Sequence, residues 1–209
     1  PLGWFKNEIT GLADVQGLRF RTPGLGGQVW AKLGASVTNL AAGEIFAALQ
    51  SGTLDAAEFV GPYNDLALGF YQIAKNYYFP SFIEPGLATE LVVDKAKYAA
   101  LPADLQALVK DVCQAEYDNV AADFAANAPR APQSLISEHG VQIKQFPEEI
   151  LEAGAKAAAE LLTEIRESGD ALTKKTAESF IANLNIVRQK TEGTDSLFLA
   201  ARQKYFTLS

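Results

Sequence analysis

The sequence has one cysteine, one histidine and no methionine among its 209 residues. A single cysteine, Cys113, excludes an intramolecular disulfide, and one cysteine with one histidine argues against a zinc site built from those residues. His139 precedes Gly140, a pair that is common at helix ends, where histidine suits the last carbonyls and glycine the left-handed cap. We therefore expect a structural role for His139 and no Ser-His-Asp catalytic triad.

Positive charge and long apolar runs are also scarce. The formal net charge is −7, which argues against a nucleic-acid partner, because no basic stripe exists to neutralise phosphates. It argues equally against docking on an anionic membrane surface. No apolar run approaches the length of a membrane span. The first residues resemble neither an initiator segment nor a signal peptide, so we expect the chain to begin in mid-protein, with any targeting segment upstream.

The first sixty residues alternate between strand and helix patterns. Strands are predicted at residues 17–22, 35–40 and 54–60, and helices at 28–33 and 43–50, with glycine or proline at most of their ends. This order and spacing predict an α/β protein with a parallel sheet and right-handed crossovers.

Polar residues stand at the carboxyl end of each of these three strands, namely Arg21, Asn39 and Glu58. Ligands of open α/β sheets bind beyond the carboxyl ends of the strands. We therefore expect the three side chains to converge on one crevice.

The remainder is predicted to be mostly helical. A helix-like pattern covers residues 62–78, strands are predicted at 89–94 and 141–146, and helices begin near Leu101, Pro147 and Ala171. The first of these three helices carries apolar residues at helical spacing that we expect to form a buried stripe: Leu105, Leu108, Val109, Val112, Val120 and Phe124.

Six short motifs lie in order along the chain, each once: PLGWFK from residue 1, GLRFR from 17, GEI from 43 with ALQSG from 48, DAAEF from 55, GPYND from 61 and LPADLQ from 101. In this order and spacing they resemble the solute receptors of tripartite ATP-independent periplasmic (TRAP) transporters. The resemblance covers most of the chain and is weakest after about residue 165.

The resemblance implies a two-lobed, periplasmic binding protein-like fold with a parallel or mixed sheet, flanking helices and long C-terminal helices. The N-terminal lobe would be missing from this chain. Residues 1–60 would form a βαβαβ ligand-binding lobe, residues 61–90 would cross into the other lobe, and residues 91–209 would complete the lobes with a strand and long helices.

The resemblance also implies a function, that of a periplasmic receptor, secreted by a signal peptide outside this chain. Such a receptor delivers a small organic acid to integral-membrane TRAP subunits. The most similar branch binds 2-oxo and 2-hydroxy monocarboxylates, and a C4-dicarboxylate receptor of the same family is the alternative. A metal-dependent enzyme acting on 2-oxo acids, with Glu58 as base, and a sensor that docks on a signalling partner are further alternatives. No pair of residues looks like an acid and a base held in different environments, so we expect no catalysis.

By this resemblance Arg21 pairs with the ligand carboxylate. A guanidinium holds a carboxylate by two parallel hydrogen bonds. The alternative is a surface arginine in an exposed ion pair, and Arg19, on the same strand face, is the residue most easily confused with it. The other pocket candidates include no second cation, which favours a monocarboxylate.

Glu58 and Phe59 are the candidate metal ligands by the same resemblance, through a side-chain carboxylate and a backbone carbonyl. A hard cation such as Na⁺ or Ca²⁺ would bridge protein and ligand. A glutamine that supplies a further ligand in that branch lies just before the position of Pro1. The branch often has tryptophan where this chain has Phe59, so the pocket wall would differ. The alternative for Glu58 is a salt bridge to a lysine or arginine.

Further ligand contacts are expected from Asn39 and Asn64, whose amides read keto or hydroxyl oxygens, unless they serve as turn or cap residues. Trp4 and Phe5 would form an aromatic wall or pack in the core, and Glu84 is a weaker candidate. In some similar receptors a C-terminal helix exchanges between two chains, which here would give a homodimer; an intrachain helix is the alternative.

Overall fold

The computed structural model describes residues 3–81 and 89–205. These residues contain a six-stranded sheet. Its strands are β1 (Gly3–Phe5), β2 (Arg19–Arg21), β3 (Ser36–Thr38), β4 (Ala56–Ala57), β5 (Asn76–Phe79) and β6 (Gln142–Gln145).

The strand order in the sheet is β3-β2-β4-β1-β5-β6. Strand β2 lies between β3 and β4 and is parallel to both. Strand β1 runs antiparallel to β4 and β5, and β5 is parallel to β6. The predicted parallel βαβαβ unit is therefore confirmed, with shorter strands than expected, and β1 makes the whole sheet mixed.

Two helices provide the crossovers of this unit: α1 (Gly24–Lys32) between β2 and β3, and α2 (Ala42–Ser51) between β3 and β4. Helix α1 begins close to the end of β2, since a Cβ added to Gly27 would lie 2.6 Å from the Thr22 carbonyl oxygen. Helix α2 ends at Gly52, which takes the left-handed conformation with a φ of 82°.

The remaining helices are α3 (Pro62–Leu68), α4 (Lys95–Ala99), α5 (Ala103–Asn127), α6 (Ala131–Ser137), α7 (Glu148–Glu167), α8 (Ala171–Gly193) and α9 (Asp195–Tyr205). The chain divides into two units, Pro1–Ala157 and Ala158–Ser209. The first unit contains the whole sheet, and the second contains the end of α7 together with α8 and α9. None of the described helices has both the length and the apolar character needed to cross a membrane.

Aromatic side chains dominate the core of the first unit. Trp4 and Phe5 are 0% and 1% exposed. The centroid of the Phe5 ring lies 5.3 Å from that of Phe20 and 5.2 Å from that of Tyr78. The ring centroids of Trp4 and Tyr77 are 4.2 Å apart. Such pairs add to the free energy gained from apolar burial, and they fix β1 at the centre of the sheet.

Two predictions of secondary structure after residue 61 are wrong. The helix-like pattern at 62–78 is interrupted: α3 ends before Gly69, whose φ is 71°, and β5 occupies the end of the segment. Residues 89–94 form no strand, and Val92 is 80% exposed. An apolar run is shared by strands, buried helices and loops, and only partners decide between them; no neighbouring strand among the described residues pairs with 89–94.

The buried stripe predicted for α5 is also wrong. The helix begins after Pro102 as expected, but none of its residues is buried, and Leu108 and Val112 are 55% and 51% exposed. Helical periodicity predicts which face is apolar, not what covers it. Among the described residues, too little packs on this face to bury it.

His139 lies just beyond α6, as predicted from the glycine that follows it. Gly140 has a φ of 65°, and the imidazole stacks on the Tyr71 ring at 3.9 Å. The His139 backbone carbonyl accepts a hydrogen bond from the Lys75 ammonium group at 2.8 Å. These contacts are those of a residue at a helix end.

Candidate functional site

The register of the parallel strands brings three predicted residues to one edge of the sheet. Arg21, the last residue of β2, is opposite Thr38 of β3 and Ala57 of β4. Asn39 and Glu58 directly follow these two partners in sequence. The Glu58 amide also donates to the Arg21 carbonyl at 2.8 Å. The expected convergence of strand ends is thus observed.

Arg21 is a buried cation held by backbone carbonyls. Its side chain is 9% exposed. The Nε atom donates to the Leu40 carbonyl at 3.1 Å, and Nη1 donates to the Glu58 carbonyl at 2.6 Å. No described residue accepts a hydrogen bond from Nη2. These contacts orient the guanidinium plane and leave donors available for an anion.

Glu58 and Phe59 lie against this guanidinium. A Glu58 carboxylate oxygen is 3.7 Å from Arg21 Nη1, and the Phe59 ring centroid is 5.8 Å from Arg21 Cζ. Burial lowers the pKa of Arg21, while the negative charges of Glu58 and Asp65 raise it. The arginine remains charged, because its ordinary pKa lies far above neutrality.

Arg19 occupies the other end of β2 and is engaged elsewhere. Its Nε atom donates to Asp55 Oδ2 at 2.8 Å, and its side chain is 51% exposed. The ion pair with Arg19 lowers the pKa of Asp55, chiefly through this hydrogen bond. Arg19 is therefore the exposed ion-pair arginine, and Arg21 is the one at the carboxyl edge.

The other candidate ligand residues differ in their surroundings. Asn39 is exposed, and the Oδ1 atom of Asn64 is buried without a hydrogen-bond partner in the described part of the chain. Trp4 and Phe5 pack in the core, as in the alternative considered for them, and do not form an exposed wall. Glu84 lies outside the described residues.

A resident cation would have to rely on few protein side chains. Within residues 3–81 and 89–205 no cluster of three or more acidic, histidine or cysteine side chains is arranged to hold a metal. The Glu58 carboxylate and the Phe59 carbonyl are hard oxygen donors that suit Na⁺ or Ca²⁺. They fit such an ion only as part of a set that ligand oxygens or other backbone atoms complete.

A cavity of about 260 Å³ lies at the opposite edge of the sheet. Its lining includes Asp14, Leu18 and Asp55, which come before β2 or β4. Asp14 accepts hydrogen bonds from Thr10, and Asp55 is paired with Arg19. The lining also includes Glu8 and, among the described residues, contains no lysine or arginine, so this cavity offers an organic acid no cation comparable with Arg21.

One residue of the site has no role assigned by the sequence patterns. Asp65 is 1% exposed, and its charge acts on Arg21. An acidic residue in the first turn of α3 indicates only a favourable interaction with the helix dipole. The signal available in the sequence was the place of Asp65 at the end of the GPYND motif. Its hydrogen-bond partners, up to 61 residues away, could not be identified from a local pattern.

Comparison with protein families gives one match over most of the chain. The model of the family described as bacterial extracellular solute-binding protein, family 7 (DctP), matches residues 2–168. This match ends close to residue 165, after which the resemblance to these receptors is weakest.

Individual relatives agree with the family match. The monocarboxylate 2-oxoacid-binding periplasmic protein of Nostoc sp. is 36% identical over 180 residues, which are 86% of this chain and 49% of the relative. The chain therefore spans about half the length of this curated relative.

Two solved structures share the fold closely. TRAP periplasmic solute binding proteins from Pseudoalteromonas atlantica, with bound sodium and pyruvate, and from Colwellia psychrerythraea, with bound calcium and pyruvate, superpose with TM-scores of 0.86 and 0.87. Their identities are 37% and 36%, and each comparison covers 95% of this chain and 60% of the solved chain.

Proposed function

The chain belongs to family 7 of the bacterial extracellular solute-binding proteins, and on that premise we propose that it carries the ligand-gripping edge of a TRAP transporter receptor for a small 2-oxo or 2-hydroxy monocarboxylate. The observation that carries the proposal is Arg21. The Arg21 side chain is 9% exposed, and two backbone carbonyls orient its guanidinium group. Nη2 is available as a donor, so the group is arranged to receive a carboxylate.

The charges near Arg21 support a monocarboxylate over a C4-dicarboxylate. Glu58 and Asp65 both act on the guanidinium, and Arg19 is paired at the opposite end of the strand. No further cation among the described residues is known to act at this edge, so a second ligand carboxylate would lack a partner and would face the Glu58 carboxylate. Relatives named for 2-oxoacids, or solved with pyruvate, bind ligands of this class.

We also propose that Na⁺ or Ca²⁺ assists binding, held by the Glu58 carboxylate and the Phe59 carbonyl. When bound, the ion offsets the repulsion between Glu58 and the ligand carboxylate. This proposal is supported by the oxygen donors at the end of β4 and by two similar structures with sodium or calcium beside pyruvate. Direct calorimetry with calcium, in the absence of organic acid, tests it independently of ligand binding.

Asn64 and Asn39 are proposed to contact the keto or hydroxyl oxygen of the ligand. The argument is stronger for Asn64, because a buried amide oxygen without a partner costs free energy unless something donates to it. A hydroxyl group of a 2-hydroxy acid is such a donor. Asn64→Ala should therefore weaken binding of a 2-hydroxy acid more than binding of the matching 2-oxo acid.

The location and partners of the receptor are proposed from the same family. We infer a periplasmic protein that delivers its ligand to integral-membrane TRAP subunits. A homodimer formed by exchange of a C-terminal helix is proposed from the apolar residues that α8 and α9 leave exposed, among them Phe180, Ile186 and Phe198. Light scattering tests the homodimer, and a monomer at micromolar concentration would refute it.

Titration calorimetry with the full-length protein tests the main proposal. We expect pyruvate to bind in sodium or calcium buffer and more weakly after chelation or replacement of sodium by a large organic cation. An NMR spectrum of the same mixture should show pyruvate unchanged over hours, as for a receptor and unlike a 2-oxo acid enzyme. Failure of the protein to bind any small monocarboxylate would refute the proposal.

A further inference from the structure

Asp65 is a buried carboxylate that accepts four hydrogen bonds from three parts of the fold, namely β1, β5 and the segment that follows β4. Its Oδ2 atom accepts from Trp4 Nε1 at 2.8 Å and from the Tyr77 hydroxyl at 3.0 Å. Its Oδ1 atom accepts from the backbone amides of Gly61 at 3.1 Å and Val60 at 3.3 Å. All four partners are hydrogen-bond donors, which is the set that an ionised carboxylate needs. Burial raises the pKa of Asp65, and the hydrogen bonds from Trp4, Gly61, Tyr77 and Val60 oppose that effect.

The two oxygens of Asp65 have different partners. Oδ2 joins β1 to β5, because Trp4 and Tyr77 belong to these strands. Oδ1 holds the backbone that directly follows Glu58 and Phe59. The carboxylate thus connects the buried centre of the sheet with the segment that leaves β4.

That segment in turn positions the guanidinium. The Glu58 carbonyl accepts the 2.6 Å hydrogen bond from Arg21 Nη1, and only one residue separates Glu58 from Val60. A displacement of the segment would therefore move a hydrogen-bond acceptor of Arg21. The charge of Asp65 also acts directly on Arg21, where it opposes the effect of burial.

From these contacts we propose that Asp65 is a positioning residue for the ligand site, holding residues 58–61 so that Glu58 and Phe59 keep Arg21 in the geometry that receives a carboxylate. The inference rests on the proposed function of Arg21. Asp65 acts through the segment that follows β4 and not by contact with the ligand.

A purely structural role predicts that ligand affinity is insensitive to Asp65 as long as the protein is folded. Tyr77→Phe is the matched control, because it removes one donor to Oδ2 and leaves in place both hydrogen bonds that backbone amides donate to Oδ1. Asp65→Asn preserves the shape of the side chain but replaces one accepting oxygen by an NH2 group. That group then faces hydrogen-bond donors instead of accepting from them.

The test measures pyruvate affinity by calorimetry and unfolding by urea, both in the full-length protein at a temperature where every variant is folded. We expect Asp65→Asn to raise Kd by about tenfold or more, because small misplacements of a binding group have large effects. Tyr77→Phe should lower stability and leave Kd within about twofold, since one distal hydrogen bond carries little of the positioning. Equal affinity of Asp65→Asn and the unsubstituted protein would overturn the inference.

A double-mutant cycle separates positioning from general destabilisation. If Asp65 acts through Arg21, the effects of Asp65→Asn and Arg21→Lys on pyruvate affinity are not additive, whereas independent effects add. Additive effects would count against the inference. If the unsubstituted protein binds no monocarboxylate, the proposed function of the site fails instead, and the two failures are thereby distinguished.

A measurement without substitution covers the case in which Asp65→Asn does not fold. The amide resonances of Val60 and Gly61 should be protected from exchange in the free protein and should shift when pyruvate is added. Unchanged resonances at both positions, in a protein that binds pyruvate, would overturn the inference.

Discussion

Replacing Arg21 by alanine is the most direct perturbation of the site. Charge-assisted hydrogen bonds contribute roughly 1.5–3 kcal/mol, and about 1.4 kcal/mol corresponds to a tenfold change in Kd. The side chain is 9% exposed, so the small values found for surface ion pairs do not apply. We therefore expect Kd for pyruvate to rise about tenfold to hundredfold in Arg21→Ala, measured by titration calorimetry.

The same change removes two hydrogen bonds from the fold. The Leu40 and Glu58 carbonyls both lose their Arg21 donor, at roughly 0.5–1.5 kcal/mol each, so the free energy of unfolding should fall by about 1–3 kcal/mol. Arg21→Lys keeps the charge but cannot reproduce the planar fork. Its Kd should lie between those of Arg21→Ala and the unsubstituted protein.

Arg19→Ala is the matched control, because it removes the same residue type two positions away on the same strand. Arg19 is half exposed and paired with Asp55, so its loss should change Kd by less than about twofold. The reasoning is refuted if folded Arg21→Ala binds pyruvate as before, or if Arg19→Ala weakens binding to the same extent.

Three further predictions concern the cation, the packing of α1 and the pH dependence. Glu58→Gln should abolish the effect of calcium on pyruvate affinity in calorimetry; an unchanged calcium effect would exclude the carboxylate as a ligand. Gly27→Ala should lower the free energy of unfolding in urea by about 1–3 kcal/mol, because the new Cβ meets a backbone carbonyl at 2.6 Å. Gly43→Ala, with nothing within 4 Å of its Cβ, should be neutral or stabilising by about 1 kcal/mol. The lowered pKa of Asp55 means that its contribution is present above the unfolded pKa and is lost as pH falls through the folded pKa. Asp55→Asn should therefore flatten the acid side of a melting-temperature profile, and an identical profile would contradict this.

The carboxyl-edge arrangement was predictable because it depends on local patterns. Strands predicted at 17–22 and 54–60, with helices and a further strand between them, allow few topologies once crossovers are right-handed. The register then follows from the parallel pairing, and the observed pairs place Arg21 opposite Ala57. A site made from consecutive strand ends is accessible to sequence reasoning for this reason.

The errors share a different physical origin. β5 lies in a segment with a helix-like apolar pattern, yet it pairs with β1 and with the distant β6. The apolar face of α5 is real, but its burial depends on what packs against it. Partners at large sequence separation override local propensity, and no local pattern in one chain identifies them.

Asp65 illustrates the same limit at the site itself. Its four donors come from residues 4, 60, 61 and 77. A sequence motif shows the aspartate and its neighbours at 60 and 61, but not the tryptophan and tyrosine that donate hydrogen bonds to it. Buried polar networks are specified by long-range packing, and their satisfaction is visible only in the folded protein.

The charge balance at the edge predicts which ligands bind and how cations affect them. One guanidinium lies within the influence of two carboxylates, Glu58 and Asp65. When both carboxylates are ionised, these three groups sum to a net charge of −1 before any ligand arrives. A monocarboxylate adds one negative charge and a dicarboxylate adds two, while unit charges 4 Å apart interact by about 4 kcal/mol at an effective dielectric constant of 20. We therefore expect pyruvate affinity to rise with sodium or calcium, and a C4-dicarboxylate to bind at least about tenfold more weakly than pyruvate at equal cation concentration. A dicarboxylate that binds as tightly as pyruvate in a sodium-free buffer, measured by competition calorimetry, would show that another cation compensates the site and that Arg21 alone does not set its selectivity.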